Sequence, residues 1–321
     1  MNSVAVYHQS YRRRKLMDWV MRGLTAAATG LALLPLFLIL GYTLVRGGSS
    51  LNWAFFTQTY KAPVVSLDTN AVQAAGGVLH GIVGTFLITG ITMLMAVPIG
   101  VLAGIFLSEY EDTLFSQVVR FSTDVLSGAP SIVVGVVGYL LIVQRYKQYS
   151  ALAGSVALTF LAVPVVVRTT EEVLKLVPDS LREAAIALGA PRWHVTFNIV
   201  IPAALGGIVT GIMLAFARAA GETAPLLLTT IGLNSLSFDV TKQMAALPLL
   251  AYRYTGSPFP AEQNLAWGAA LVLTVIVLAA NIFARWVTGG RVRMPPVKLA
   301  LDRIRVWFGT RQPAGERKEV G

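Results

Sequence analysis

Hydrophobic positions along the chain gather into six runs, most of them near the roughly 20 residues that a helix needs to cross the hydrocarbon core of a bilayer. The first, Gly23 to Val45, is dominated by Leu, Ala and Phe, with Tyr42 placed for an interface. The second, about Val78 to Leu107, is longer than a bilayer requires and contains Pro98 with Gly90, Gly100 and Gly104, which predicts a kink or tilt. The third, Ser127 to about Val143, is short and glycine-rich, with Gly128, Pro130, Gly135 and Gly138 permitting close helix contact. The fourth, Ala151 to Val167, follows after so few residues that it is an antiparallel neighbour of the third across a tight turn at Gln144 to Ser150. The fifth runs from about Leu205 to Thr230 and carries two ionisable residues; the sixth, Trp267 to Val287, is aliphatic and ends in Arg285 and Trp286 at an interface.

Composition agrees with this pattern: of 321 residues 55% are hydrophobic and 13% charged, and the mean hydropathy is +0.65. A soluble fold of this size cannot hide several separate apolar runs, whereas spanning helices satisfy their own backbone hydrogen bonds in lipid. The expected fold is therefore all-α and integral to a membrane, with six spans over residues 23–290, a basic tail at 1–22 and another at 291–321. No A-x-A site follows the first run closely, so it reads as a retained span and not a cleaved signal.

Six spans put both termini on one side, and Lys and Arg say which. Nineteen of them fall on the termini and the loops after spans two and four, against six on the opposite loops, and one, Arg218, lies within a span. The positive-inside bias places both termini in the cytoplasm. The net charge of +10 sits at span ends and tails and not in one patch interleaved with aromatics, which argues against a nucleic-acid partner; the tail after Arg291 suits anionic lipid. The absence of cysteine removes disulfides, thiolate metal sites and cysteine nucleophiles.

Between spans four and five lies a cytoplasmic loop, Arg168 to Pro202, too long for a simple reversal and patterned like short helices. Asp179 or Ser180 can cap a helix Leu181 to Leu188, with Glu183 in its first turn, Gly189 ending it and Pro191 forbidding continuation. Leu181, Ala184, Ala185 and Leu188 share one face by 3 and 4 spacing, forming a narrow apolar ridge with small centres. Periodicity alone leaves two readings open, a helix lying on its own membrane domain or one that docks on a partner.

Glu183-Ala184-Ala185, then Gly189, then Ile199 and Pro202 resemble the E-A-A-x3-G-x9-I-x-L-P loop of ABC-importer permeases, with Ile201 where that pattern has Leu. The resemblance implies a type I importer permease whose coupling helix, with Glu183, Ala184, Ala185 and Gly189, fits a cleft on a separate ATPase. The chain has no G-x-x-x-x-G-K-[ST] loop, so ATP and magnesium belong to that partner and no cofactor is expected on this chain. Two copies of the ATPase, a second, homologous permease forming a heterodimer, and a periplasmic or lipid-anchored binding protein complete what the resemblance implies, in a bacterial inner membrane.

Arg218 and Glu222 lie four residues apart in the fifth span, where a charge costs about 2.5 to 3.5 kcal/mol on insertion scales. Either they form a self-contained pair that braces the bundle, or Arg218 meets an anion while Glu222 tunes it. The stretch from Arg218 through Leu227 resembles the R-x-x-G-E-T-A-P-L-L of PstA-type phosphate permeases, as does Ser127 to Val133, and the likeness extends over roughly residues 20 to 290. It implies phosphate as cargo. A forked guanidinium with hydroxyl donors at Thr223 and Ser131 suits such an anion, and backbone amides at the Gly128–Pro130 break add to them, although small residues at 127–131 read first as packing devices.

His8, His80 and His194 show no metal-site spacing. Glu109, Glu111 and Asp112 read as an acidic solvated turn. The rival functions are an importer permease for another oxyanion such as phosphonate or molybdate, a proton-coupled carrier using Arg218 and Glu222, and an intramembrane enzyme. No inverted repeat supports the carrier, and no catalytic constellation supports the enzyme.

Overall fold

The computed structural model describes residues 3–62 and 76–289, with side chains over 13–62 and 76–286; the basic tail 291–321 and part of the loop after the first span lie outside the described residues. The fold is a helical bundle. Helix α1 (Ser3–Gly48) contains the first predicted run, and a short α2 (Trp53–Thr57) is capped by the Asn52 side chain. Helix α3 (Leu79–Glu109) runs uninterrupted through Pro98. Then come α4 (Leu114–Gly128), α5 (Ser131–Gly138) extended by a π-turn at Tyr139–Val143, α6 (Gln144–Tyr146) and α7 (Ala151–Lys175). The chain continues through α8 (Asp179–Ala187), α9 (Arg192–Val195), a π-turn at Thr196–Val200, α10 (Ile201–Gly221), α11 (Ala224–Thr229), α12 (Leu247–Thr255) and α13 (Pro260–Gly289).

Five stretches are long and apolar enough to cross a membrane unbroken: Arg13–Gly48, Leu79–Glu109, Ala151–Lys175, Arg192–Gly221 and Pro260–Trp286. The third predicted run differs. Instead of one helix from Ser127, the chain makes α4, turns by 103° and starts again at Ser131, so the candidate for a sixth crossing is this bent pair. Pro130 is the cause, because it holds Ala129 extended at ψ 132° and cannot donate to the turn before it. The fifth run differs in the same way. It starts earlier, at Arg192, and stops at Gly221, because a helix continuing to Pro225 would drive the proline ring into the Gly221 carbonyl. Glu222 is extended at ψ 129°, and α11 begins two residues later.

Helix α7 is the centre, with 67% of its spanning window buried. Its neighbours approach through glycines four apart. On α3, a Cβ at Gly100 would stand 2.6 Å from Val166 Cβ, and one at Gly104 would stand 2.6 Å from Thr170 Cβ. On α10, Gly207 meets Val173 and Gly211 meets Thr169 in the same manner. Lipid offers no hydrophobic drive between helices, so close backbone approach and hydrogen bonds hold them, here Ser155 Oγ donating to the Ile88 carbonyl at 3.1 Å and Thr92 Oγ1 to the Ser155 carbonyl at 3.2 Å. Helix α1 packs mainly on α13, through Gly47 against Trp267 and Leu271, and its spanning window is otherwise unburied.

The end of the bundle opposite α8 is closed by the segment after α11. Ala151 and Leu152 donate their N–H groups to the carbonyls of Lys242 and Val240, and Ala153 donates to Ser150 Oγ, so the first turn of α7 is capped by chain and not by water. Tyr60 there donates to Glu262 Oε1 at 2.5 Å and stacks on Tyr254. Burial and the hydrogen bond to Glu262 push its pKa up to about 12, so the phenol stays a donor at any ordinary pH.

Candidate functional site

Two places gather the residues that the sequence singles out. The first is α8 and its surroundings. The helix begins at Asp179, with Pro178 as its N-cap, and not at Leu181; no side chain caps it, so neither Asp179 nor Ser180 has the capping role expected of it. Pro178 sets the first turn instead, and Asp179 stands within it, where the dipole favours an acid. The other end is as the sequence predicts. Gly189 takes φ +82°, its N–H bonds to the Ile186 carbonyl at 2.8 Å, and the N–H of Ala190 bonds to the Ala185 carbonyl at 3.1 Å, a Schellman closure. Pro191 then starts α9.

The predicted apolar ridge is split. Ala185 turns inward, 3% exposed, into a core of Leu174, Val177, Ala190, Val195, Val200, Ala204 and Ile208. Leu181, Ala184 and Leu188 remain exposed with Glu183, forming the outward face. Successive residues are about 100° apart, so Ala184 and Ala185 straddle the edge between the outward face and the inward face, which Ala185 shares with Arg182 three residues before it.

The sequence reading misses the charges that hold this end together. Arg182, on the inward face, pairs with Glu109 at 2.5 Å. Arg120 donates from Nε to Glu171 Oε1 at 2.8 Å and from its Nη atoms to the Leu107 and Glu111 carbonyls at 3.0 Å. Lys175 bonds Glu111 and lies 3.0 Å from Glu171, and Arg168 pairs with Asp124. Of the expected acidic solvated turn, Glu111 and Asp112 are exposed, but Glu109 ends α3 and pairs with Arg182 of α8, and Glu111 also pairs with Lys175 at the end of α7. Lys175, hydrogen-bonded to Glu111, holds that carboxyl below the usual carboxylate range. Glu111, Arg120, Asp124, Arg168, Glu171 and Lys175 line a cleft of about 360 Å³ beside α3, α4 and α7.

The second place is the pair of helix breaks. Arg218, in the last turn of α10, lies 3.6 Å from Glu222, with side chains 42% and 19% exposed. Thr223 is half-buried just beyond, at the start of α11. A Cβ on Gly135 would stand 2.9 Å from Pro225 Cα, and one on Gly138 would stand 3.3 Å from Thr229 Cγ2, so α5 and α11 run side by side in the same direction. The structure therefore pairs Arg218 with Glu222 and places Thr223 next in the chain, while Ser131 begins α5, the helix that packs along α11. The sequence suggests one helix face for Arg218 and Glu222; in the structure Glu222 is off the helix, at the break itself. Two helix starts packed side by side, with a half-exposed guanidinium in the turn before one of them, make a locality suited to an anion.

The family model described as "Binding-protein-dependent transport system inner membrane component" matches residues 96–291, and the chain belongs to that family. It is thus a membrane permease component of a transport system. Among its relatives are the phosphate transport system permease proteins PstA of Haemophilus influenzae, 42% identical over 273 residues covering 85% of this chain and 94% of that one, and of Yersinia pestis, 42% identical over 278 residues covering 86% and 91%. PstA 1 of Mycobacterium tuberculosis is 38% identical over 289 residues, covering 88% of this chain and 92% of its own. Two solved structures share the fold: the MetNI methionine ABC transporter in an inward-facing conformation, TM-score 0.58 at 18% identity over 67% of this chain and 96% of that one, and a bacterial alginate ABC transporter, TM-score 0.60 at 14% identity over 87% and 99%.

Proposed function

We propose that this chain forms half of the translocation path of an ATP-driven importer for inorganic phosphate. The observation that carries this reading is Arg218 at the junction of two broken helices, in a chain 42% identical over 85% of its length to a protein named as a phosphate permease. Its ion pair with Glu222 is long, at 3.6 Å, and its guanidinium is 42% exposed. A brace buried in a bundle would be short and closed, whereas this one leaves donors open to a second anion. Thr223, Ser131 and the amides of two helix starts supply neutral donors around it, which suits a group carrying one or two negative charges.

In this reading α8 is the docking element, with Leu181, Ala184, Leu188 and Glu183 presented to a separate ATPase that holds ATP and magnesium, while the chain itself binds no nucleotide, cofactor or metal. A second, related permease completes the path, two ATPases drive the pair, and a periplasmic or lipid-anchored binding protein delivers phosphate. The excess of Lys and Arg beside α8 and the tails puts both termini in the cytoplasm.

Phosphate uptake in cells carrying only Arg218→Ala should fall by about thirtyfold or more, the rate equivalent of the 2–5 kcal/mol that truncating one partner of a hydrogen-bonded charge pair costs once the bound anion covers it, while the variant still inserts and still co-purifies with its ATPase. Uptake at the unaltered level would remove Arg218 from the path. Competition by phosphonate and molybdate in the same assay separates phosphate from its rivals.

A further inference from the structure

Arg182 lies on the face of α8 that turns toward the membrane helices, three residues before the buried Ala185. Its Nη1 donates to Glu109 Oε1 at 2.5 Å, its Nη2 donates to the Leu174 carbonyl at 3.1 Å, and its Nε lies 3.8 Å from Asp179 Oδ1. Glu109 is the last residue of α3, and Leu174 is the last but one of α7. One side chain therefore joins three helices. Both helix ends it touches carry the negative pole of a macrodipole, so a cation is favoured at each.

The pair is also sheltered. Arg182 and Glu109 are 18% and 21% exposed, whereas Asp179 is 91% exposed. Solvent screens the Asp179 contact and leaves the Glu109 contact strong, and removal of either member strands the other as an uncompensated charge. Otherwise α8 packs chiefly on α9 and on the π-turn that leads into α10, with the Ala185 methyl as its inward apolar contact.

We infer that Arg182 is a positioning residue for energy coupling. The Arg182–Glu109 pair, with the Leu174 carbonyl, is the strut through which a displacement of α8 reaches α3 and α7, the tightest-packed helices of the bundle. This rests on the reading that α8 docks on an ATPase. With the strut in place α8 moves with α3 and α7; without it the joints at Pro178 and Gly189 absorb the motion.

The absence of cysteine supplies the test. In the complete complex, reconstituted in vesicles with its ATPase and binding protein, Arg182→Ala and Glu109→Gln should retain the ATPase and its hydrolysis, while phosphate imported per ATP hydrolysed falls about tenfold. Arg182→Cys/Glu109→Cys should show the same fall, and a short bis-maleimide joining the two introduced thiols should recover most of it. An unchanged import per ATP in the single variants overturns the strut. So does a cross-link that leaves the ratio low or stops transport, because the contact then either carries nothing or has to open. Docking is read separately, by co-purification: Ala184→Arg on the outward face should lose the ATPase, and if it does not, the docking reading fails. Loss of the ATPase from Arg182→Ala would make Arg182 a docking residue and overturn the strut.

Discussion

At the scale of single residues, α8 turns on Gly189 and the helix breaks turn on two prolines. Gly189 sits at φ +82°, where a Cβ costs about 1 to 2 kcal/mol. Gly189→Ala should therefore fray the end of α8 and reduce phosphate uptake severalfold, and Gly189→Asn should be milder, because Asn visits this conformation more readily. Uptake assays on both variants check this; equal and undiminished transport would show that the Schellman closure contributes nothing to function. Gly189 was readable in advance, since a glycine followed by Pro191 at the end of an apolar period has few other meanings. Arg182 was not. Its importance comes from Glu109, 73 residues away, and no local pattern connects two charges brought together only when the ends of α3 and α7 converge.

At the scale of elements, the runs of apolar residues located the helices well and their interruptions poorly. Span length is a matter of composition, which a window over the sequence reads directly. A break depends on whether the backbone groups released by a proline find other partners, as around Ala129–Pro130 and Glu222–Thr223, and that is decided by neighbouring helices. Pro98 and Pro164 stand inside continuous helices, so proline alone did not distinguish the cases. The packing of α3 on α7 gives a test within one helix. Gly104→Leu adds a side chain where a Cβ alone would lie 2.6 Å from Thr170 Cβ, whereas a Cβ at Gly90 meets nothing within 4 Å. Overpacking of this kind costs typically about 1 to 3 kcal/mol, so Gly104→Leu should lower the melting temperature of the detergent-purified protein and Gly90→Leu should leave it nearly unchanged. Equal melting temperatures would mean that α3 and α7 do not rely on this contact.

At the scale of the whole molecule, two features stand at different heights of one bundle: a charged cluster beside α8, and a donor-rich junction where α5 and α11 begin. Helix α7 connects them, since its last turns enter the cluster and its first turns pack against α11 through Gly154 and Leu226. The family, the loop motif of α8 and the residues of the junction were legible in the sequence through short motifs; the charged cluster and the route between the two places required the fold. The most direct measurement is ATP hydrolysis and radiolabelled phosphate uptake in vesicles holding this chain, its partner permease and its ATPase, with the binding protein added from the other side. Hydrolysis that rises with phosphate-loaded binding protein, accompanied by phosphate accumulation that Arg218→Ala abolishes, is the predicted result; hydrolysis indifferent to phosphate, or accumulation without ATP, would contradict it.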